Sequence, residues 1–330
     1  MHSILIVGIG SIGRRHARLF KSAGIEVAAA DVMQDRLDQA HREIGLVDTG
    51  TNYRAMLAKR HYDAVLVTVP GALHTPVAQA AADAGSHLFI EKPVSDRQDG
   101  LDQLQRTVTE RRLTAYAAYC YRFAPASERM KEVVDSGKLG RVLCVRLQIS
   151  SYMPDWHPYE DYRNYYVSKL ALGGGARLDA SHGVDLLRWM FGDVKSVYAL
   201  VDKISDLEMD ADDYTAMVMR FKNGIVVEAH MDMLGRSPRI DAEVVGSEGT
   251  LLWDRISGKV EFYEAATRKW SIDDFGPDSF VTCYERQVQH FINCVRTGRE
   301  PRTTLSDSRR TLDVLIAALK SSQTGQVVTV

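Results

Sequence analysis

Two side chains of this sequence, Lys92 and His182, have neighbours typical of acid–base groups. Lys92 follows a short apolar run and precedes Pro93, whose ring restricts the backbone. Its position in the sequence is equally compatible with two interpretations. Lys92 is either a residue held at a functional site or an ordinary surface lysine that is solvated or ion-paired. His182 lies three residues from both Asp179 and Asp185, and on a helix such neighbours share a face. A carboxylate beside an imidazole raises the basicity of the imidazole. The alternative interpretation is that His182 is a core histidine whose hydrogen bonds are satisfied within the protein.

Glycines near the start of the chain indicate dinucleotide binding. Gly8, Gly10 and Gly13 have G-x-G-x-x-G spacing between an apolar run and a helical pattern. Such glycines allow the turn, the approach of a pyrophosphate and the packing of helix on strand. The helix N-terminus offers N–H groups and partial positive charge to phosphates. We predict that Gly8, Gly10, Ser11, Ile12 and Gly13 bind the cofactor, the alternative being a glycine-rich turn in another α/β protein.

An acidic residue completes this pattern. Asp31 ends the second predicted strand, about 20 residues after the glycines, where a carboxylate can bind a ribose 2′-hydroxyl. Its charge would repel a 2′-phosphate, so the sequence favours NAD over NADP. Arg36 is near enough in the chain to reach such a phosphate, which keeps NADP open.

The first part of the chain predicts the sheet that must position these groups. Apolar runs alternate with helical patterns, and strands are predicted at 4–7, 25–30, 64–69, 87–90 and 115–118. Such alternation is typical of a doubly wound parallel sheet, which binds ligands at the carboxyl ends of its strands. Further cofactor-binding residues are predicted at these ends: Pro70, His74, Glu91 and Lys92. His74, like His16, is interpreted as a framework or cofactor-adjacent residue rather than an acid–base group.

Composition excludes several classes of protein. The 330 residues suffice for two domains, and 45% hydrophobic with 25% charged residues is ordinary globular composition. A net charge of −2 gives no sign of a nucleic-acid or membrane partner. Four scattered cysteines lack metal-like spacing, so we predict reduced thiols, no metal and a cytoplasmic protein. No segment resembles a signal peptide or approaches the ~20 apolar residues of a membrane span.

Several motifs together resemble the Gfo/Idh/MocA oxidoreductases, the family of glucose–fructose oxidoreductase and inositol dehydrogenase. They span essentially the whole chain: Pro70-x-x-x-His74, Glu91-Lys92-Pro93, 119–123, Gly173-Gly174-Gly175, 179–185, Ala317-Ala318 and Ser321-Ser322. The resemblance implies an NAD(P)-binding Rossmann domain, predicted at 1–121. It also implies a substrate-binding and oligomerisation domain at 122–330, which is α+β with a large, mostly antiparallel open sheet. A homodimer or homotetramer is implied as well.

The resemblance also implies roles for individual residues. Lys92 corresponds to a catalytic and substrate-orienting lysine, and His182 to the usual acid/base. Asp179 corresponds to an assisting aspartate, although many members carry it four residues before the histidine rather than three. The implied activity is NAD(P)-dependent hydride transfer at a secondary alcohol of a sugar, sugar acid or cyclitol. Two alternatives remain: transient oxidation by tightly bound NAD for glycoside cleavage or sugar isomerisation, and a non-catalytic NAD-sensing regulator.

The second half of the sequence is compatible with the implied sheet. Alternating or apolar segments predict strands at 142–150, 214–221, 224–231, 240–245, 250–253 and 259–263, and helical patterns occupy 286–296 and 306–320. Asn223-Gly224 predicts a hairpin turn. The Gly173–Gly175 triplet predicts a flexible or close-approach turn before the helix that carries His182.

An aromatic loop is predicted to line the substrate site. Residues 151–166 contain five tyrosines, a tryptophan and two prolines, with neither helical nor strand periodicity. Such a loop is costly to order unless it packs or binds, so an oligomer contact or a packed irregular loop is the alternative. Arg236, near Arg239, fits an anionic substrate group or plain surface charge. The predicted substrate-binding residues are Lys92, Arg122, Trp156, His157, Arg163, Asp179, His182 and Arg236.

Overall fold

The computed structural model describes residues 1–156 and 160–330, so His157 lies outside the described residues. The chain forms two compact units, Met1–Tyr119 with Tyr284–Arg309, and Cys120–Cys283 with Arg310–Val330. The boundary at residues 121 and 122 stays a prediction. Among the described residues, no helix has both the length and the apolar character needed to cross a membrane.

The N-terminal unit contains the predicted doubly wound parallel sheet. Its strands pair in the order β3-β2-β1-β4-β5-β6, all parallel. The elements are β1 (Ser3–Val7), α1 (Ser11–Ser22), β2 (Glu26–Ala30), α2 (Gln34–Ile44), β3 (Thr49–Gly50), α3 (Tyr53–Lys59), β4 (Ala64–Val67), α4 (His74–Asp83), β5 (His87–Ile90), α5 (Leu101–Glu110) and β6 (Ala115–Ala117). Strands β1 and β4 are buried throughout, which explains their unbroken apolar runs. The fold class predicted for this half is confirmed.

The strand order defines where this unit can bind a ligand. From β1 the chain builds the sheet outward through β2 and β3, and then returns to add β4, β5 and β6 on the other side. The strand order therefore reverses between β1 and β4, and ligands of such sheets bind outside the carboxyl ends at this switch point. Gly8 and Thr68 immediately follow these two strands.

The C-terminal unit contains a nine-stranded, mostly antiparallel sheet, as predicted. The order is β14-β13-β12-β11-β7-β10-β9-β8-β15, with β7 and β10 as the parallel pair. The strands are β7 (Val142–Ser150), β8 (Val194–Asp202), β9 (Tyr214–Phe221), β10 (Val226–Asp232), β11 (Arg239–Gly246), β12 (Gly249–Asp254), β13 (Lys259–Glu264), β14 (Lys269–Asp274) and β15 (Val328–Thr329). The hairpin at Asn223-Gly224 is confirmed between β9 and β10.

Three strands of this sheet escaped prediction for identifiable reasons. Strand β8 has a register shift between Val194 and Ser196, which interrupts its alternation of buried and exposed residues. Strand β14 lies at the edge of the sheet and is almost wholly exposed, and only Trp270 and Ile272 alternate with its polar residues, which is too short a pattern to predict a strand. Strand β15 has only two residues, too few for a pattern.

Asp179 and His182 lie on two separate helices rather than on one. The remaining helices are α6 (Pro125–Asp135), α7 (Ala176–Asp179), α8 (Ser181–Phe191), α9 (Thr282–Thr297) and α10 (Leu305–Thr324). Asp179 ends α7, and His182 is the second residue of α8. Ala180, at φ −80° and ψ 15°, leaves helical geometry between them, so the prediction that both lie on one face of a single helix is wrong.

Helix α8 packs closely on β7 and is fastened by a buried ion pair. A Cβ atom on Gly183 would lie 2.6 Å from Leu147 and 2.8 Å from Ile149, which explains the glycine beside His182. Arg122, in the turn Cys120–Phe123, donates Nε and Nη2 to the Asp185 carboxylate at 2.8 and 2.6 Å. Both side chains are at least 95% buried, so each charge depends on the other for compensation.

Replacing Arg122 by Met should destabilise the C-terminal unit. The substitution leaves the Asp185 carboxylate buried without its partner charge, and we expect the free energy of unfolding to fall by about 3–5 kcal/mol. All four tryptophans lie in this unit, so urea unfolding followed by tryptophan fluorescence reports on it.

Arg239→Met is the matched control within the same unit. Arg239 pairs with Asp241 at 3.0 Å, but the Arg239 side chain is 59% exposed, and such surface pairs contribute roughly 0–1 kcal/mol. Equal unfolding curves for Arg122→Met and the wild type would contradict a compensating role for the buried pair.

Candidate active site

The glycine loop after β1 is shaped by contacts that exclude larger residues. Gly8 has φ +100°, and a Cβ atom there would lie 2.7 Å from the Thr68 carbonyl oxygen. Its N–H donates to Ala30 at 2.8 Å, while the Thr68 hydroxyl donates to the Gly8 carbonyl at 2.6 Å. The loop is thereby tied to β2 on one side and to β4 on the other.

The start of α1 has room and charge for a phosphate. A Cβ atom on Gly13 would overlap the carbonyl oxygen of Gly8, so the helix must approach the turn closely. Among the residues that the structure describes, none lies within 4 Å of a Cβ atom placed on Gly10, which indicates open space beside the turn. No described side chain caps α1, and its first turn holds no acidic residue. Its first N–H groups and the positive end of its dipole are therefore suited to a pyrophosphate.

Asp31 stands beside this loop, as the sequence predicts. Its Oδ2 accepts the N–H of Ile9 and its Oδ1 that of Met33, both at 2.9 Å. Each oxygen has a second lone pair, so the carboxylate keeps capacity for a ribose hydroxyl. Arg36 is exposed in the first turn of α2. The glycine loop and Asp31 thus fit a dinucleotide.

At the end of β5, the Glu91 carboxylate is engaged by the protein itself. His16, fully buried on α1, places Nε2 2.9 Å from Oε1 of Glu91. The backbone N–H of Lys92 donates to the other oxygen, Oε2, at 3.2 Å. The interaction links α1 to the backbone of Lys92, in line with the framework interpretation of His16. The contact of Glu91 with the cofactor stays a prediction.

His74 joins the loops that follow β4 and β5. Its Nε2 lies 2.7 Å from the Val69 carbonyl oxygen and its Nδ1 2.8 Å from that of Pro93. Burial lowers the pKa of this imidazole through desolvation. These contacts agree with a framework role. Pro70, which follows Val69, is half-buried, and its contact with the cofactor stays a prediction.

In the C-terminal unit, His182 is held by a residue that sequence reasoning missed. The Tyr121 ring stacks on the imidazole at a centroid distance of 4.4 Å and an interplanar angle of 2°. His182 is half-buried, with its Nδ1 atom inaccessible to solvent. Tyr121 belongs to the 119–123 motif, but no local pattern connects it with a histidine 61 positions later. The stack is therefore a finding of the tertiary structure.

A second tyrosine reaches Asp179. The Tyr166 hydroxyl donates to Oδ1 of Asp179 at 3.4 Å, and Asp179 is half-buried at the end of α7. The glycine triplet before α7 permits this approach. A Cβ atom on Gly174 would lie 2.6 Å from the carbonyl oxygen of Tyr166, and Gly175 has φ +108°. The close-approach turn expected at the triplet is thus observed.

The aromatic loop is largely packed, which favours one of the alternatives left open by its sequence. Its members join a hydrophobic cluster with Ala176, Leu207, Met209, Ala211 and Met233. The loop residues in or against this cluster are Tyr152, Met153, Trp156, Tyr162, Tyr165 and Tyr166, and Val167, which follows the loop, joins them. Trp156 also donates Nε1–H to the Ser151 hydroxyl at 2.9 Å. For the described residues of the loop, 151–156 and 160–166, packing accounts for the conformation without any substrate contact.

The arginines predicted to bind substrate have protein partners. Arg122 is buried with Asp185. Exposed Arg163 pairs with Asp161 at 2.7 Å and holds the pKa of that carboxyl below its usual value. Arg236 lies over the ring of Tyr152 at 3.5 Å. The structure thus supplies a structural explanation for each of them, and their contact with substrate stays a prediction.

Over residues 1–156 and 160–330, no three His, Cys, Asp or Glu side chains are grouped so that they could hold a metal ion.

Two protein-family models match the chain. Residues 2–119 match "Oxidoreductase family, NAD-binding Rossmann fold", and residues 127–252 match "GFO/IDH/MocA C-terminal domain". Together they cover about three quarters of the chain, in the order that the resemblance implies.

Similar proteins align over nearly the full chain. Myo-inositol 2-dehydrogenase of Thermotoga maritima is 27% identical, with 96% of this chain and 95% of that protein covered. D-xylose 1-dehydrogenase (NADP(+)) 2 of Haloferax volcanii is 28% identical, with 98% of each covered. Among solved structures, levoglucosan dehydrogenase in complex with NADH has a TM-score of 0.90 at 20% identity, covering 100% of this chain and 99% of that one. At this identity, the structural likeness supports the fold.

The glycine loop and Asp31 fit a dinucleotide, and both family models follow in order along a chain of the expected fold. The chain is therefore an NAD(P)-dependent oxidoreductase that belongs to the Gfo/Idh/MocA family.

Proposed function

We propose that this enzyme reversibly oxidises a secondary alcohol of a sugar, sugar acid or cyclitol. The observation that carries the proposal is Lys92 at the carboxyl end of β5, in the unit whose glycine loop fits a dinucleotide. The names of the relatives support the substrate class, since they act on an inositol and on D-xylose. The solved levoglucosan dehydrogenase adds a third carbohydrate to this group.

The proposed roles divide the alcohol chemistry between two side chains. Bound NAD would supply the hydride acceptor. Nζ of Lys92 donates a hydrogen bond to the reacting oxygen and stabilises its developing negative charge. Nε2 of His182 removes the hydroxyl proton in oxidation and returns it in reduction. The proposal requires both atoms to reach one alcohol oxygen.

The surroundings of His182 support its assignment as the base. Because Nδ1 is buried, Nε2 is the ring nitrogen that we assign to the hydroxyl proton. Asp179 is the proposed assisting carboxylate, three residues before His182 in the chain, and its Oδ1 accepts the Tyr166 hydroxyl. Since Ala180 separates the two helices, this assistance does not depend on a shared helical face.

The proposed cofactor preference is NAD. Asp31 carries a negative charge beside the turn, where the 2′-phosphate of NADP would introduce like charge. The NADP dependence named for the Haloferax volcanii relative makes this preference a matter for direct measurement.

Replacing Lys92 by Ala should abolish most turnover while leaving NAD binding largely intact. The substitution removes the positive charge at the reacting oxygen, and we expect kcat to fall by about a hundredfold or more. The measurement is NADH formation on a panel containing myo-inositol, D-xylose, levoglucosan and aldonic acids, together with calorimetric titration of NAD.

Lys59→Ala is the control for Lys92→Ala, because Lys59 forms an exposed ion pair with Asp48 in the same unit. It should retain both turnover and NAD affinity. Unchanged turnover in Lys92→Ala would remove the assignment. Copurified NAD with no net NADH formation on any panel member would favour transient oxidation over net oxidation.

Asp31→Ser should narrow the preference for NAD over NADP. Removing the carboxylate loses the ribose contact and relieves repulsion of the 2′-phosphate, so we expect the ratio of the two Kd values to shift by roughly tenfold. Calorimetric titration of both nucleotides measures this ratio, with Asp35→Ser, an exposed change in α2, as the control. Equal binding of NAD and NADP by the wild type would contradict the proposed preference.

A further inference from the structure

Tyr121 and His182 form a stacked pair of rings within the C-terminal unit. Their planes differ by 2° and their centroids are 4.4 Å apart. Nearly parallel planes at this centroid distance mean that the two rings are stacked. Offset-stacked and edge-to-face pairs are the arrangements that aromatic rings prefer.

The turn that carries Tyr121 contacts α8 at a second point. Arg122, the next residue, forms the buried ion pair with Asp185. Asp185 follows His182 by three residues on α8, so the two side chains project from one face of the helix. Adjacent residues of the turn therefore engage adjacent positions on the helix, and the ion pair sets the register of the ring stack.

Tyr121 is itself held in place by further rings. Phe280 meets it edge-on at 5.2 Å and 88°, and Trp253 lies 6.3 Å away. Arg255 lies over the Phe280 ring at 3.7 Å. Only 7% of Tyr121 is exposed, so its ring has little freedom to turn. A fixed ring can act as a rigid support for a more exposed one.

His182 needs such a support because the second torsion of a histidine side chain is intrinsically broad. Turning the imidazole out of plane would drive its edge into the face of Tyr121. The stack thus restricts the direction in which Nε2 points. The face of the Tyr121 ring brings no charge and no proton acceptor to the imidazole, so its effect is on orientation alone.

We propose that Tyr121 is a positioning residue, whose ring holds the imidazole of His182 in the plane from which Nε2 exchanges the substrate proton. The inference rests on the proposed role of His182. It predicts that the aromatic ring at position 121 matters and that the tyrosine hydroxyl does not.

The stack can be measured without any turnover. In protein labelled with ¹³C at histidine Cε1, the His182 signal is identified by its disappearance in His182→Gln. The face of the Tyr121 ring should shift the His182 ring-proton resonance upfield. Tyr121→Met, which fills similar space without a ring, should abolish this shift, and Tyr121→Phe should retain it.

Kinetics then test whether the stack positions the base. In Tyr121→Met we expect kcat to fall by roughly tenfold to a hundredfold, because a misplaced group loses its alignment. KM for the best panel substrate should change little, and Tyr121→Phe should recover the wild-type kcat. The matched control is Tyr214→Met, which removes a ring 5.1 Å from His230. It should move the His230 resonance and leave both the His182 resonance and kcat unchanged.

Each contrary result has a distinct meaning. An unshifted His182 resonance in the wild type would overturn the stack itself, and this measurement does not depend on any Tyr121 variant folding. Loss of the shift with full kcat in Tyr121→Met would overturn positioning. A low kcat with a retained shift in Tyr121→Phe would assign the effect to the hydroxyl and overturn the proposal. Full turnover in His182→Gln would instead refute the proposed function, whatever the resonances show.

Discussion

Parallel pairing of β1 with both β2 and β4 is the constraint on which the cofactor site depends. Parallel strands end at the same edge of a sheet, so Gly8, Asp31 and Thr68 become neighbours although they are far apart in the chain. The pairing is stabilised by burial of apolar strands and needs no functional side chain. Once these strands pair, three features lie together at the same edge of the sheet: the glycine turn, the Asp31 carboxylate and the N-terminus of α1.

Polar side chains then make this edge rigid. The Asp31 carboxylate accepts the N–H groups of Ile9 and Met33. The His74 imidazole lies between the carbonyl oxygens of Val69 and Pro93. His16 joins α1 to Glu91, whose other oxygen accepts the Lys92 N–H. Buried polar groups need such partners, and here their partners belong to the loops that carry the candidate site residues. The same residues therefore support the fold and hold in place the loops that carry the candidate site residues.

The C-terminal unit orients its histidine by packing instead. Helix α8 lies against β7 because Gly183 has no side chain to obstruct it. The Arg122–Asp185 pair fastens the helix, and Tyr121 then contacts His182. Loss of either charge would weaken the unit and disturb the imidazole together, whereas a change in the Tyr121 ring should affect the imidazole with less effect on the helix.

The sequence by itself determined the parallel sheet, the glycine turn with its acid and the hairpin at Asn223-Gly224, because each depends on residues close in the chain. Its motifs also indicated the family and, through it, the antiparallel sheet. Only the tertiary structure decided the partner of Arg122, the stack on His182 and the packing of the aromatic loop. It also revealed the break at Ala180, which a helical spacing alone cannot exclude. Local patterns encode turns and the periodicity of burial, whereas the partner of a side chain is chosen by packing between segments distant in the chain.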